Sequence, residues 1–492
     1  MRPRLSRDLL VYGVGEVVVK AFGLITIPVY TRVFSPDEYG ALSVVLTLGG
    51  LFIAVVALGG DSAFVRYFLA ARTLEERRVV TTTWIGFLGV WALLAAVGLI
   101  PFAGSIAELA IGPRGDGVMV AIALLLTPIR LINMMCAQVL RNEFRAVAFT
   151  VLNVAALGLM VALSIGAAVG LDLGIRGVLI GTLVAEAAML PVRLITARHM
   201  IGTRVSRRTL GTLLAYGIPL VPASLAYWVF MTSDRVLLAN LSTLAQVGLF
   251  SVATSLVNLT QIAVTALGQA WSPHAVHAYE EDRDGAAQLF GRMMTYVLGA
   301  FGLLAVGITA FAPALVDLLT GDEYTAAASA VGPLAIGMVA YASTQVTAGG
   351  ITLTGRTAYL ALLSWVAAII NVVLNLLLIP PFGMLGAAWA SAAAYVGLTL
   401  AYAATSQRLW PVAYEARRGL FLAGLTLAFV VGASLLPGST SGGALAALAD
   451  LGLRAAYCLA FVAALFASRA LDGREVAVLR GFVARAPRSS AP

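Results

Sequence analysis

Several ionisable side chains lie inside long apolar runs of this sequence, at Glu16, Lys20, Asp61, Arg130 and Glu186. In the middle of a membrane helix, a charged side chain raises the free energy of insertion by about 2.5–3.5 kcal/mol. Such a residue is therefore expected to pair with an opposite charge, to titrate, or to bind a charged ligand.

The apolar runs offer two candidate ion pairs. Glu16 and Lys20 are one helical turn apart, so they share a helix face and can neutralise each other. If both instead face a hydrated cavity, Lys20 would bind an anion and Glu16 would carry a proton. Arg130 has no acidic neighbour in its own run; its candidate partners are Asp61, Glu186 and a bound anion, and we favour a structural pair with Glu186.

Other charges stand where apolar runs end. Asp61 and Arg66 end the second run, and Asp234 and Arg235 end the seventh. Charges at a membrane surface usually act as solvated anchors. Arg66 is the strongest exception, because a guanidinium binds phosphate through two parallel hydrogen bonds and would suit a loading site.

Amides and hydroxyls form a stripe in the eighth apolar run, where a helix would place them on one face. The stripe consists of Ser251, Ser255, Asn258, Thr265 and Gln269. It either makes hydrogen bonds between helices or lines a hydrated cavity, and the second interpretation makes Asn258 and Gln269 candidate ligands for sugar hydroxyls. Asn371 and Asn375, one turn apart in the eleventh run, are assigned to packing.

Prolines interrupt two of the runs, Pro28 in the first and Pro219 and Pro222 in the seventh. Each proline removes a backbone hydrogen bond and can kink its helix. The three residues are either hinges for a conformational change or simply tolerated, as prolines often are in membrane helices.

The elements that must position these residues are membrane-spanning helices. Of 492 residues, 60% are hydrophobic and 11% charged, with a mean hydropathy of +0.93, whereas soluble proteins have roughly a quarter charged. About 20 apolar residues cross a bilayer as a helix. The fold class is therefore an all-α polytopic membrane protein with 14 predicted spans: 9–31, 41–63, 81–104, 118–138, 147–170, 176–197, 213–233, 246–270, 292–316, 331–352, 359–379, 386–407, 420–436 and 451–468.

Basic residues predict the orientation of these spans. Of the 32 Lys and Arg residues, 25, among them Arg193, fall on the segments of one side, which the positive-inside rule makes cytoplasmic. Both termini are then cytoplasmic, and Arg32, Arg235 and Arg454 fall among the few basic residues assigned to opposite loops. The net charge of +8 reflects this topology and attraction to an anionic leaflet, and it does not indicate nucleic-acid binding.

Short loops exclude most enzyme classes. The sequence contains no Walker A, HExxH, GxSxG or CxxC motif, and His199, His274 and His277 lie on loops without metal-ligand partners. Cys136 and Cys458 fall inside predicted helices. We therefore expect no catalytic residues, no metal and no cofactor.

An internal repeat divides the chain. The segment Tyr12-Gly13, Arg32 and Gly40-Ala-Leu-Ser43 recurs as Tyr216-Gly217, Arg235 and Gly248-Leu-Phe-Ser251, and Gly174-Ile-Arg-Gly177 recurs as Gly383-Met-Leu-Gly386. Repeats of six helices have the same orientation and are related by an axis along the membrane normal. The predicted divisions are six-helix bundles at 1–205 and 206–408, two extra helices at 409–470 and a cytoplasmic Arg-rich tail at 471–492.

The opening run resembles that of a known transporter family. The segment from Tyr12-Gly-Val-Gly-Glu16 through Pro28-Val-Tyr-Thr-Arg32 to Pro36-Asp-Glu-Tyr-Gly40 is similar to polysaccharide transporters of the Wzx type, in the multidrug/oligosaccharidyl-lipid/polysaccharide exporter superfamily. Supporting segments are Asp234-Arg235, Gly248-Leu-Phe-Ser251, Gly321-Asp-Glu-Tyr324 and Pro380-Pro-Phe-Gly383-Met-Leu-Gly386.

This resemblance implies two six-helix bundles around a central cavity. The implied substrate is an undecaprenyl-pyrophosphate-linked oligosaccharide, flipped from the inner to the outer leaflet of the bacterial cell membrane for cell-surface polysaccharide synthesis. Membrane lipid, a polysaccharide polymerase and other assembly proteins are the implied partners. Cations such as Lys20, Arg66 and Arg130 would meet the pyrophosphate, and Glu16, Asp61 and Glu186 are the candidate ion-coupling carboxylates.

Two rival functions stay open at this point. A drug/cation antiporter of the same superfamily would need cavity carboxylates with few cations, which Lys20 and Arg130 disfavour. A membrane scaffold for glycan assembly would act through its cytoplasmic loops and its tail, Arg469 to Arg488, without transporting anything.

Overall fold

The computed structural model describes residues 25–113, 115–436 and 444–467. Within these residues every regular element is helical, which confirms the all-α fold class. Glu16, Lys20 and the Arg-rich tail lie outside the described residues. The helices are α1 (25–33), α2 (Pro36–Val56), α3 (Gly60–Ala70), α4 (Leu74–Leu99), α5 (Ala103–Ile111), α6 (Gly117–Asn142), α7 (Ala146–Ile165), α8 (Gly174–Ala197), α9 (Arg207–Gly217), α10 (Val221–Leu241), α11 (Leu244–Val257), α12 (Gln261–Glu281), α13 (Arg283–Leu319), α14 (Ala328–Thr347), α15 (Gly349–Leu353), α16 (Ala358–Phe382), α17 (Met384–Leu409), α18 (Ala416–Ser434) and α19 (Ala444–Ala467).

Capping residues fix where several helices begin. Ser35 accepts a hydrogen bond from the backbone N–H of Glu38, whose side chain accepts one in return from the Ser35 backbone, and Pro36 occupies the first turn of α2. Thr73 and Glu76 form the same reciprocal arrangement at the start of α4. These caps satisfy N–H groups that a helix start leaves without partners.

The predicted count of 14 spans is not confirmed. Among the described residues, 12 helices are long and apolar enough to cross a membrane, or 13 when the bent pair α11–α12 counts as one span. Most of the first predicted span lies outside the described residues. The two C-terminal helices, α18 and α19, both meet the length and hydropathy criteria.

A left-handed turn breaks the second predicted span, and a sharp bend breaks the eighth. The second, 41–63, ends as α2 at Val56, and α3 begins only after a turn in which Leu58 and Gly59 have φ of 51° and 64°. The eighth, 246–270, bends by 41° between α11 and α12. The polar stripe of the eighth run therefore does not follow one continuous helix face, which corrects that expectation.

The described residues pack as two compact units. The first takes its residues from Met1–Ser255, Asp317–Ala327 and Ser364–Ser391. In it α4, α6, α7 and α8 pack side by side, around a core that includes Phe64, Phe68, Trp84, Leu131 and Cys136.

The second unit takes its residues from Leu256–Val316, Ala328–Leu363 and Ala392–Pro492. Trp271, Phe290 and Trp410 form an aromatic cluster there, with ring centroids 4.8 and 5.1 Å apart. Arg454 does not lie in an outer loop as predicted. It is fully buried within α19, where it pairs with Asp450 at 2.7 Å and donates to the backbone oxygen of Ala310 in α13.

Matching glycines support the internal repeat. Gly174, which begins α8, and Gly383, which precedes α17, share a φ of 56°, a left-handed conformation that glycine adopts without strain. Three residues later, Gly177 and Gly386 each pack directly against the backbone of the preceding helix region. The proposed division into bundles at 1–205 and 206–408 stays a prediction.

Candidate functional site

Arg130 and Glu186 form the ion pair that the sequence favours. Arg130 Nε lies 3.2 Å from Glu186 Oε1, and the two side chains are 30% and 18% exposed. Asn133, one turn from Arg130 on α6, donates its amide to Glu186 Oε2 at 2.7 Å. The Glu186 carboxylate on α8 thus joins two neighbouring helices of the first unit.

A second arginine completes this network. Arg193 was predicted to be cytoplasmic, but it is 7% exposed within α8, donating to the backbone oxygen of Asn133 at 3.1 Å and to Asn153 Oδ1 at 3.0 Å. It also interacts electrostatically with Glu186. One carboxylate therefore faces two guanidiniums, which indicates a structural role for Glu186.

This charge imbalance predicts unequal effects of two substitutions. Glu186→Gln leaves both arginines without an anion, whereas Arg130→Gln leaves Glu186 with Asn133 and Arg193. We expect Glu186→Gln to destabilise the protein by about 1–3 kcal/mol and Arg130→Gln to destabilise it less. Thermal unfolding of the detergent-purified protein measures both. Asp116→Asn, in the exposed pair with Arg176, is the control; equal effects of all three variants would contradict the structural role.

Asp234 is the buried carboxylate that sequence reasoning placed incorrectly. It was expected to be a solvated anchor at the end of the seventh run, but α10 continues to Leu241 and Asp234 is only 5% exposed. Asn375 Nδ2 and Ser391 Oγ each donate to it at 2.6 Å. The described residues provide no ion pair for Asp234.

The two asparagines of α16 serve this carboxylate rather than packing alone. Asn375 also donates to Asn371 Oδ1 at 3.1 Å, and both asparagines are fully buried. Asn375 Oδ1 has no hydrogen-bond partner among the described residues. A buried carboxylate beside an unpaired amide oxygen is an oxygen-rich site that can hold a proton or a small cation. In the sequence, Asn371 and Asn375, one helical turn apart, were the signal for this site.

Repeat-equivalent residues contact each other at the start of α2 and α11. The hydroxyls of Ser43 and Ser251 are 2.7 Å apart and share a hydrogen bond. A Cβ on Gly40 would overlap the backbone oxygen of Leu244, and a Cβ on Gly248 would overlap that of Pro36. The backbones of α2 and α11 therefore touch here, on the side predicted to be outer.

The other predicted residues take separate positions. Arg66 is exposed on α3, with its guanidinium carbon 4.8 Å from the centre of the Tyr216 ring, and Asp61 is exposed in the first turn of the same helix. In the second unit, Asn258 is exposed at the bend between α11 and α12, and Gln269 is exposed on α12.

The candidate hinge prolines differ in their surroundings. Pro219 lies in the 3-10 turn Ile218–Leu220 that separates α9 from α10, and Pro222 lies in the first turn of α10. Pro28 lies within the helical residues 25–33. The break beside Pro219 fits the loss of a backbone donor there, while the hinge role of all three stays a prediction.

Residues 29–329 match the family described as "Polysaccharide biosynthesis protein". A curated relative, the succinoglycan biosynthesis transport protein ExoT of Rhizobium meliloti (strain 1021), is 24% identical over 350 residues, covering 68% of this chain and 67% of the relative. In fold, the chain is similar to the lipid II flippase MurJ in an inward closed conformation, with a TM-score of 0.75, 11% identity and coverage of 93% and 99%. It is also similar to an inward-facing multidrug resistance MATE family transporter of the MOP superfamily, with a TM-score of 0.68, 16% identity and coverage of 82% and 96%.

Proposed function

The chain belongs to the polysaccharide biosynthesis protein family, and from this premise we propose that it flips undecaprenyl-pyrophosphate-linked oligosaccharide across a bacterial inner membrane. Transport runs from the inner to the outer leaflet by alternating access, with both termini cytoplasmic. The relative named as a succinoglycan transport protein supports the substrate class. The product would reach a polysaccharide polymerase on the outer side.

One observation carries the mechanism. Ser43 and Ser251, which are equivalent in the repeat, meet on the predicted outer side, where Gly40 and Gly248 allow their helices to touch. Small residues at a helix contact let two backbones approach closely and separate without unpacking large side chains. The contact can thus serve as an outer closure that opens when the substrate is released.

The substrate's charge determines which cations can bind it. A pyrophosphate is a multivalent anion, and the exposed guanidinium of Arg66 is available to it on the predicted cytoplasmic side. Arg130 is already paired with Glu186, so it is a weaker candidate than the sequence suggested. Asn258 and Gln269 are exposed amides that could bind sugar hydroxyls.

Ion coupling has a stronger candidate than those chosen from sequence. Glu186 is held by Arg130 and Asn133. Asp234 has hydrogen-bond donors and an electrostatic interaction with the adjacent Arg235, but it forms no ion pair among the described residues. We therefore assign coupling to Asp234, with Glu16 and Asp61 as the alternatives. Binding and release of a proton or cation at Asp234 would change the stability of one conformation relative to another.

Flipping in proteoliposomes that contain only this protein tests the proposal. Fluorescent undecaprenyl-pyrophosphate oligosaccharide is reconstituted, and its translocation is followed in the wild type and in Arg66→Ala, Lys20→Ala and the exposed control Arg356→Ala. We expect wild-type flipping, a loss of about tenfold in Arg66→Ala and near-normal flipping in Arg356→Ala. A folded wild type that moves no glycan would contradict the proposal and favour an antiporter or a scaffold; deletion of the tail from residue 471 would then impair only a scaffold.

A further inference from the structure

A shallow, open groove of about 500 Å³ lies between α3 and α9 in the first unit. It is lined by Tyr67, Arg208, Gly211, Thr212, Ala215 and Tyr216. Five of these six residues come from α9, at spacings of three and four that place them on one helix face. One face of α9 and Tyr67 on the opposite side therefore form the groove.

Small side chains keep this groove open. A Cβ on Gly211 would meet no atom within 4 Å, and Thr212 and Ala215 add little volume to the floor. At the far end, a Cβ on Gly59 would overlap the backbone oxygen of Gly217, so the turn before α3 touches the end of α9 where the groove ends. The floor thus leaves space that a ligand, rather than a side chain, can fill.

Cations stand at both ends of the groove. Arg208 is exposed in the first turn of α9, and Arg66 lies near the other end, over the Tyr216 ring at 4.8 Å. Neither guanidinium forms an ion pair among the described residues. Arg208 and Tyr216 are eight residues apart, about 12 Å along the helix. A bound anion would replace water rather than an existing carboxylate.

Two tyrosines provide an aromatic surface between the cations. The rings of Tyr67 and Tyr216 make an edge-to-face contact with centroids 6.0 Å apart, an arrangement that orients both rings. The C–H faces of a pyranose stack on such rings. The groove therefore combines phosphate-binding and sugar-binding groups within one short segment.

We infer that this groove binds a sugar diphosphate, with Arg208 on the phosphates, Tyr67 and Tyr216 on the first sugar, and Arg66 beside Tyr216 at the sugar end. The inference rests on the proposed function and extends it, because it names the part of the substrate recognised before transport. The same chemistry could come from a lipid-linked glycan or from a soluble nucleotide sugar. Arg208 and Tyr216 were not among the residues singled out for binding from the sequence.

Binding to the full-length, detergent-purified protein tests this inference without transport. The probes are farnesyl-diphosphate-linked hexose, farnesyl diphosphate and farnesyl monophosphate, with a uridine-diphosphate hexose as competitor. We expect Arg208→Gln to weaken both diphosphate probes by about tenfold. Tyr216→Leu should weaken only the hexose-bearing probe, and Tyr216→Phe should bind it like the wild type. Arg207→Gln, next to Arg208 but outside the groove, is the matched control.

The outcomes separate this inference from the proposed function. Equal losses of affinity in Arg207→Gln and Arg208→Gln, or wild-type affinity in Arg208→Gln, would overturn the inference that the groove binds the diphosphate. This would hold even if the wild type flips glycan normally. Specific binding by a wild-type protein that flips no glycan would support binding in the groove and contradict the proposed flippase function. Equal potency of the soluble nucleotide sugar would identify that compound, rather than the lipid-linked glycan, as the source of the diphosphate. Gel filtration and thermal unfolding check that each variant is folded.

Discussion

A disulfide between positions 43 and 251 should stop transport, and a reducing agent should restore it. The Ser43 and Ser251 hydroxyls are 2.7 Å apart, which brings their Cβ atoms near the separation of about 3.5–4.5 Å that a disulfide requires. If α2 and α11 must part to release substrate, a covalent bond there removes the open state. We expect flipping in proteoliposomes by Ser43→Cys/Ser251→Cys to fall by more than about tenfold when oxidised.

Single substitutions provide the controls for this experiment. Ser43→Cys and Ser251→Cys alone should keep transport under oxidising conditions, in a background where Cys136 and Cys458 are replaced by Ala. Mass spectrometry establishes how much protein carries the cross-link. Full transport by cross-linked protein would show that these helices need not separate, and alternating access at this contact would be wrong.

Replacing Asp234 by its amide should abolish the response of transport to an ion gradient. Asparagine has the same shape, and its oxygen can still accept from Asn375 while its amide donates to the rotated hydroxyl of Ser391. The hydrogen-bond network therefore survives, but the negative charge that attracts a proton or cation is lost. We expect gradient-driven flipping to fall by about tenfold or more, with protein yield and melting temperature close to the wild type.

The matched measurement compares imposed gradients of H⁺ and of Na⁺ with no gradient. Asp172→Asn, an exposed carboxylate in the first unit, should behave like the wild type under each condition. A gradient response retained by Asp234→Asn would move the coupling role to Glu16 or Asp61. A collapse of yield in Asp234→Asn but not in Asp172→Asn would indicate that Asp234 serves folding alone.

Hydropathy predicts which residues are in helices, but not how those helices bend. The breaks at Gly59 and at Asn258 lie inside runs that are apolar on both sides, so the runs look continuous. A local signal existed for the first break, because Leu-Gly-Gly at 58–60 permits the left-handed backbone of that turn. The polar residues after Ser255 offer no comparable signal for the second.

Long-range partners explain the different outcomes at the charged residues. Arg130 and Glu186 could be paired from the sequence because it contains few other intramembrane charges that could pair with either of them. Asp234 could not be recognised in the same way, since its partners Asn375 and Ser391 are neutral and lie 141 and 157 positions away. Arg193 was misplaced because a charge near a helix end is usually solvated, and only the tertiary contacts reveal its burial.

In the predicted two-repeat arrangement, the contact of Ser43 with Ser251 marks the position of the axis that relates the repeats. A residue can touch its own repeat equivalent only close to the axis that relates the repeats, as in the self-complementary interface of a twofold dimer. The reciprocal contacts of Gly40 with Leu244 and of Gly248 with Pro36 follow the same rule. Gly40 and Gly248 are therefore under one shared constraint, because a side chain at either position collides with the backbone of the opposite helix.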